Sequence, residues 1–245
     1  MHRFLRFCLL CLALTPVPAM AAELLVIAVS GPVASLEPGQ SVDPAETLTL
    51  ATGARITLLK QDGTMQTLQG PFSGTPGDSG ATTAGTAKSG SFAALKTLLG
   101  DSDARSTVLG AARAGAGELP APPGIWHLST DSSGPRCTDG TVLVLWRRDP
   151  GKALSVSART QDARVKGLAW PAGEAALKLP DDFAKSEGRL AISLNGTLRD
   201  LTLIRRPDAL ADAAPGALLS WLTDNGCNRQ ALALIDRVHA GAPLD

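Results

Sequence analysis

The sequence predicts a mainly β protein of the α+β class, in which a small N-terminal β-meander domain precedes a β-sandwich-like domain capped by two C-terminal helices. Three observations carry this. Short apolar runs broken by Gly, Pro, Asn and Asp recur through both halves of the 245-residue chain, which is the spacing of strands and turns. Clear helical periodicity is confined to a stretch around Phe92 and to the C-terminus. Two cysteines, Cys137 and Cys227, stand far apart in the second half, where a bond between them would close a long loop.

Residues 1–21 read as a secretory signal. A basic head with Arg3 and Arg6 leads into the apolar run Phe7 to Leu14, and the small-residue triplet Ala19-Met20-Ala21 sets cleavage after Ala21. The apolar run is far below the roughly 18 to 20 residues that cross a bilayer as a helix. Cys8 and Cys11 leave with it, and no membrane insertion is expected after its removal. The whole chain carries 23 basic and 23 acidic residues, so no basic excess marks it for nucleic acid and no charge run grips an anionic membrane. The absence of Tyr and the abundance of Ala, Gly, Leu and Thr resemble the usage of a GC-rich bacterial genome, which makes the periplasm the expected compartment. There Cys137 and Cys227 are expected to pair.

Residues 22–72 form the first predicted domain. Leu24 to Val29 is a continuous apolar run closed by Ser30-Gly31-Pro32, the form of a buried strand. Pro38-Gly39 marks a turn. Leu48 to Leu50 is expected to hairpin through Thr52-Gly53 onto Arg55 to Lys60, and Asp62-Gly63 then turns the chain into Met65 to Gln69. With Leu50, Gly53, Ile56, Leu58, Asp62-Gly63 and Leu68 in this order, the segment Glu46 to Phe72 resembles the FecR-like periplasmic domain. That resemblance implies a periplasmic relay that reports on a membrane receptor to an anti-sigma segment in the cytoplasm. The chain has neither a cytoplasmic segment nor a retained membrane helix, so direct sigma-factor control is not expected.

Residues 73–123 read as a connector. Ser73 to Ser91 is rich in Gly, Ser, Thr, Ala and Pro and too poor in apolar side chains to offset the cost of ordering, so a mobile loop is expected. Phe92, Leu95, Leu98 and Leu99 share a helical face stopped by Gly100. A second short helix is expected around Val108 to Arg113, and Pro120-Ala121-Pro122-Pro123 is the domain boundary.

Residues 124–245 form the second predicted domain. After Ile125 to Leu128, strands are expected at Thr141 to Arg147, Ala153 to Arg159, Arg164 to Trp170, Ala175 to Leu179, Gly188 to Leu194 and Leu198 to Arg206. The Asn195-Gly196 turn fixes Leu190, Ile192, Leu201 and Leu203 on one face. Pro215 starts a helix with the stripe Leu218, Trp221 and Leu222, stopped by Asn225-Gly226. Asn228 is expected to cap a final helix that buries Ala231, Leu234, Ile235 and Val238 and ends at Gly241.

No catalytic residue, cofactor or metal site is assigned. Gly77-Asp78-Ser79-Gly80 resembles the nucleophile segment of trypsin-like proteases. However, Ala81 replaces the second glycine, and the only preceding histidine is His2 in the signal. Gly80, Gly85, Lys88 and Ser89 lack the order of a phosphate loop. His239 reads as a charge at a helix C-terminus. Trp126, Trp146, Trp170 and Trp221 read as core, while Trp126 and His127 form a possible binding surface. The expected function is a non-catalytic periplasmic interaction or sensing module, which binds an envelope protein or a peptidoglycan-associated partner through sheet edges and the Ser73 to Ser91 loop. The alternative is a hydrolase or carbohydrate-acting enzyme using His127 with nearby acids.

Overall fold

The computed structural model describes residues 23–33, 35–76, 81–83, 89–100 and 122–244. The expected signal, the Gly77-Asp78-Ser79-Gly80 run, the helix around Val108 and the start of the Pro-rich boundary lie outside the described residues. Fifteen strands and three α-helices are described, so the chain is mainly β with an α+β composition.

The first part holds β1 (Leu24–Ser30), β2 (Ser41–Val42), β3 (Leu48–Leu50), β4 (Arg55–Lys60), β5 (Met65–Gln69), β6 (Phe72–Gly74) and β7 (Ala81–Thr83). Five of these form a sheet in the order β2-β1-β4-β5-β7, while β3 and β6 pair as a separate ribbon. The expected β3–β4 hairpin is therefore corrected. Leu48 and Leu50 face Gly74 and Phe72 across the ribbon, and β4 pairs with β1 and β5. The Asp62-Gly63 hairpin forms as expected, with Lys60 and Thr64 closing it. The mobile-loop expectation is also corrected at its described residues, because β6 takes up Ser73 and Gly74 and β7 adds a fifth strand beside β5.

The continuous apolar run of β1 has a simple cause: both faces of its sheet are covered. Leu24 and Val26 share a core with Leu48, Leu50, Ile56, Leu58 and Leu68 on the ribbon side. Leu25 and Ile27 point the other way, into a core built with helices. A strand covered on both faces has no solvent side to alternate with.

Those helices are α1 (Ser89–Gly100), α2 (Pro215–Asp224) and α3 (Asn228–Ala240). Phe92, Leu95, Leu98 and Leu99 of α1 are buried as expected, as are Leu218 and Leu222 of α2 and Ala231, Leu234 and Ile235 of α3; Leu219 is buried as well, while Trp221 and Val238, expected on the same faces, are only partly buried. All belong to one core with Leu25, Ile27, Leu59 and Met65, where each fully buried Leu or Ile contributes about 1.5–3 kcal/mol. Helix α2 starts at Pro215, and Gly216 allows its first turn to meet the β4–β5 turn: a Cβ at Gly216 would lie 1.7 Å from the Gly63 carbonyl oxygen. The cap of α3 is Cys227, whose carbonyl accepts from the Gln230 and Ala231 amides. Asn228, expected as the cap, is the first helical residue.

The second part holds β8 (His127–Ser129), β9 (Gly134–Thr138), β10 (Val144–Trp146), β11 (Leu154–Arg159), β12 (Arg164–Trp170), β13 (Ala176–Lys178), β14 (Gly188–Leu194) and β15 (Thr197–Arg205). They make a three-stranded sheet, β13-β10-β8, and a five-stranded sheet, β12-β11-β14-β15-β9. One core joins them. Leu128, Leu145 and Leu177 from the first meet Val156, Trp170, Leu190, Ile192, Leu201 and Leu203 from the second, with Phe183 between, which is the layered arrangement of a sandwich. Asn195 and Gly196, both at positive φ, make a two-residue turn with Leu194 opposite Thr197, so Leu190 and Leu201 face each other inside.

The Cys137–Cys227 disulfide is present, with a Cα–Cα separation of 5.9 Å. It joins β9 to the α2–α3 corner. The helical pair does not simply cap the sandwich, because α3 packs on β1 and β4 while its first turn is bonded to β9. Gln230 carries that second contact. Its buried side chain accepts from the Cys137 amide at 2.7 Å and donates to the Cys137 carbonyl at 2.7 Å and the Ile125 carbonyl at 2.8 Å. The Gln230 amide thus serves the outer edge of β9 as a neighbouring strand would.

Candidate functional site

The sequence-selected surface lies where the chain enters the sandwich. Trp126 is half-buried against the helical core, and the Arg206 guanidinium stacks 5.1 Å from its ring centroid. His127 is half-buried in β8. Burial, with some help from the Arg237 charge, holds its imidazole below the usual histidine range against the opposing effect of the Gly124 backbone. Asp131, the acid nearest it in sequence, turns to two arginines instead, Arg148 at 3.5 Å and Arg229 at 3.6 Å. Among the described residues the His127 ring has no hydrogen bond to a serine or a carboxylate, and no three His, Cys, Asp or Glu side chains gather as a metal site.

Of the other tryptophans, Trp146 and Trp170 are core as expected, while Trp221 is partly buried against the helical core. Two buried arginines are structural. Arg147 lies 4.6 Å from the Trp170 ring centroid and donates to the carbonyls of Glu174, Lys152 and Pro171. Arg136 donates to those of Ser129, Pro135 and Ser132, and burial, then the Arg229 charge, pushes its pKa down to about 10. Guanidinium groups committed to backbone oxygens pin loops and have few donors left for a ligand.

An open surface lies on the outer face of the five-stranded sheet. Strand alternation turns Val156, Ala158, Leu190 and Ile192 inward and Ser155, Ser157, Arg159, Ala191 and Ser193 outward. At the β9 end, the helical core takes in Cys137 and Ile204. At the β12 end, a cleft of about 330 Å³ lies over β11, β12 and β14. Small side chains make its floor, with Ser157 opposite Ser193 and Arg159 opposite Ala191. Arg159, Arg164 and Lys166 make its cationic wall, and none of the lining residues is acidic. Asp200, opposite Ala191, is held by Arg189 at 2.8 Å. The far rim is Leu198, 72% exposed and the one exposed large apolar side chain among the described residues.

The sheet edge beside this cleft is less open than the face. β12 is an edge strand, but it carries exposed Lys166 and positive-φ Gly167, and its pairing with β11 slips between Val156 and Ala158. A lysine and a bulge are the devices that blunt an edge against strand addition. The face has no such obstruction.

His239 is not the bland terminal charge its position suggests. Its ring is hydrogen-bonded at both nitrogens to hydroxyls of β1 and β4. Burial, then the Arg55 charge, holds it below the usual histidine range. No family model, curated protein or solved structure matches this chain.

Proposed function

We propose that the chain is a periplasmic binding module that engages an acidic segment of an envelope protein on the outer face of its five-stranded sheet, and that this groove acts without catalysis. The observation that carries the reading is the cleft walled by Arg159, Arg164 and Lys166, with no acid in its lining and Leu198 on its rim. A disulfide suits an oxidising compartment, as does the predicted export signal ending at Ala21, and the FecR-like resemblance of residues 46–72 agrees with an envelope relay. Among the described residues no helix is long and apolar enough to cross a membrane.

Magnitudes set the kind of contact. Exposed ion pairs contribute about 0.2–1 kcal/mol each, and burying Leu198 adds about 1.5–3 kcal/mol. Against the cost of association, such a sum supports a weak, salt-sensitive encounter rather than a permanent complex. A fluorescent peptide of alternating Glu and Leu tests this. Binding at low salt should weaken about tenfold or more when Arg159, Arg164 and Lys166 are all reversed to Glu, and should fall as salt is raised. Equal affinity of the wild type and the reversed variant would reject the groove.

A further inference from the structure

A second cleft, on the first part of the chain, holds a nucleophile and a base already hydrogen-bonded to each other. Ser30 is exposed at the end of β1, and its Oγ lies 2.8 Å from His239 Nε2. On the other side of the ring, His239 Nδ1 lies 2.9 Å from Thr57 Oγ1, itself 3.2 Å from Thr67 Oγ1. Two proton arrangements satisfy the row, and in the reactive one Thr57 donates to Thr67, His239 Nδ1–H donates to Thr57 and Ser30 donates to Nε2. That tautomer leaves Nε2 free to take the serine proton, which is the relation between nucleophile, base and orienting group in hydrolytic serine sites. Thr57 is fully buried, so its hydroxyl is fixed.

The three side chains come from elements far apart in sequence. Ser30 and Arg55 are opposite each other on β1 and β4, and α3 lays its last turn across both strands. Arg55 Nη1 donates to the His239 carbonyl at 2.7 Å, and its remaining nitrogens face the Gln69 amide oxygen. The cleft beside the pair is about 420 Å³ and is lined by Ser30, Arg55, Gln69, His239 and backbone at Gly53 and Gly70. No acidic side chain lines it, and the Arg55 charge forms part of its wall.

We propose that Ser30 and His239 form an acyl-transfer site for small esters whose acyl group carries a negative charge. The Ser30 oxygen bonds to the ester carbonyl carbon as its proton passes to His239 Nε2. The bond to the leaving alcohol then breaks, and the alcohol takes that proton. Water, activated by the same nitrogen, releases the acid and restores Ser30. Thr57 is a positioning residue, and Arg55, whose nitrogens are bonded to the His239 carbonyl and to Gln69, favours an anionic acyl group through its charge at the cleft wall rather than through a direct fork. This site is separate from the cationic groove and does not depend on the binding role.

The test uses the full mature chain with two probes. A fluorophosphonate should leave one adduct, mapped to Ser30, and Ser30→Ala should abolish it. Hydrolysis of 4-nitrophenyl succinate should exceed the buffer rate and drop at least tenfold in Ser30→Ala, an exposed change that leaves the fold intact. His239→Gln should slow labelling by a similar factor. Because that change also loosens α3, Thr57→Val and Thr57→Ser serve as a second pair: Val should slow labelling and Ser should restore it, with both read well below their melting temperatures because Val leaves the His239 and Thr67 partners unpaired and lowers stability. Absence of an adduct on Ser30, or ester hydrolysis equal in the wild type and Ser30→Ala, would show that the three hydroxyls only pin the helix to the sheet and would overturn the proposal.

Discussion

Replacing Cys137 and Cys227 together by serine is expected to lower stability by about 4 kcal/mol, a drop in Tm of roughly 10 °C for a chain of this size. The bond spans 90 residues, and a loop that long restricts the unfolded chain strongly. Both cysteines are buried, at 0% and 2% exposure, so the serine hydroxyls would add a desolvation cost in the folded state. The native contacts around them do not disappear. Leu218, Leu222, Leu234 and Ile235 still hold the helical pair on the first sheet, so the variant should fold and unfold at a lower temperature. Thermal unfolding of the oxidised protein and the double variant measures the difference. Coincident melting curves would show that the bond joins segments already constrained without it.

Gln230→Leu is expected to cost a comparable amount, about 3–5 kcal/mol, through a different mechanism. Three buried backbone groups depend on that one side chain: the amide and carbonyl of Cys137 and the carbonyl of Ile125. Leucine fills the space and satisfies none of them, and each buried group left unpaired costs about 1–3 kcal/mol. The loss should couple to the disulfide, since both hold the same point of β9. In a double-mutant cycle with the serine variant, the two effects should therefore differ from additive by at least about 0.5 kcal/mol. Chemical denaturation gives both numbers, and a Gln230→Leu change below about 1 kcal/mol would mean that β9 finds other partners.

Much of this architecture is legible in local chemistry. Asn195-Gly196 dictates its turn and thereby the inward face of β14 and β15. Pro215 and Gly241 mark the ends of the helical pair, and the apolar face of α1 reads directly from Phe92, Leu95, Leu98 and Leu99. The elements that resist reading owe their structure to distant partners. β9, with the sequence Gly-Pro-Arg-Cys-Thr, has no alternation to betray a strand, and it exists because β15 pairs with it in parallel and Gln230 covers its other edge. β3 pairs with β6 rather than with its neighbour β4 because the buried β1 occupies that side of β4. The helical pair carries an apolar stripe that could cover any sheet, and only the complementary face of Leu25, Ile27 and Leu59 shows which one.

The two candidate sites were hidden for the same reason. The strands that carry Arg159, Arg164 and Lys166 are readable, and their outward parity follows from it. The groove, however, arises only when β12, β11 and β14 lie side by side. Ser30 and His239 are separated by 209 positions, and nothing in the local sequence of either joins them. Trp126 and His127, adjacent in sequence and chemically suggestive, are by contrast engaged locally by Arg206 stacking and by burial.

If the outer face of the five-stranded sheet is the working surface, as proposed, amide chemical shifts of the labelled protein test it directly. Titration with the Glu/Leu peptide should move the resonances of Ser157, Arg159, Lys166, Ala191, Ser193 and Leu198 together on one saturating curve, leaving those around Trp126 and His127 in place. Shifts centred on Trp126 and His127, or on the ribbon of β3 and β6, would contradict the account and move the binding surface elsewhere.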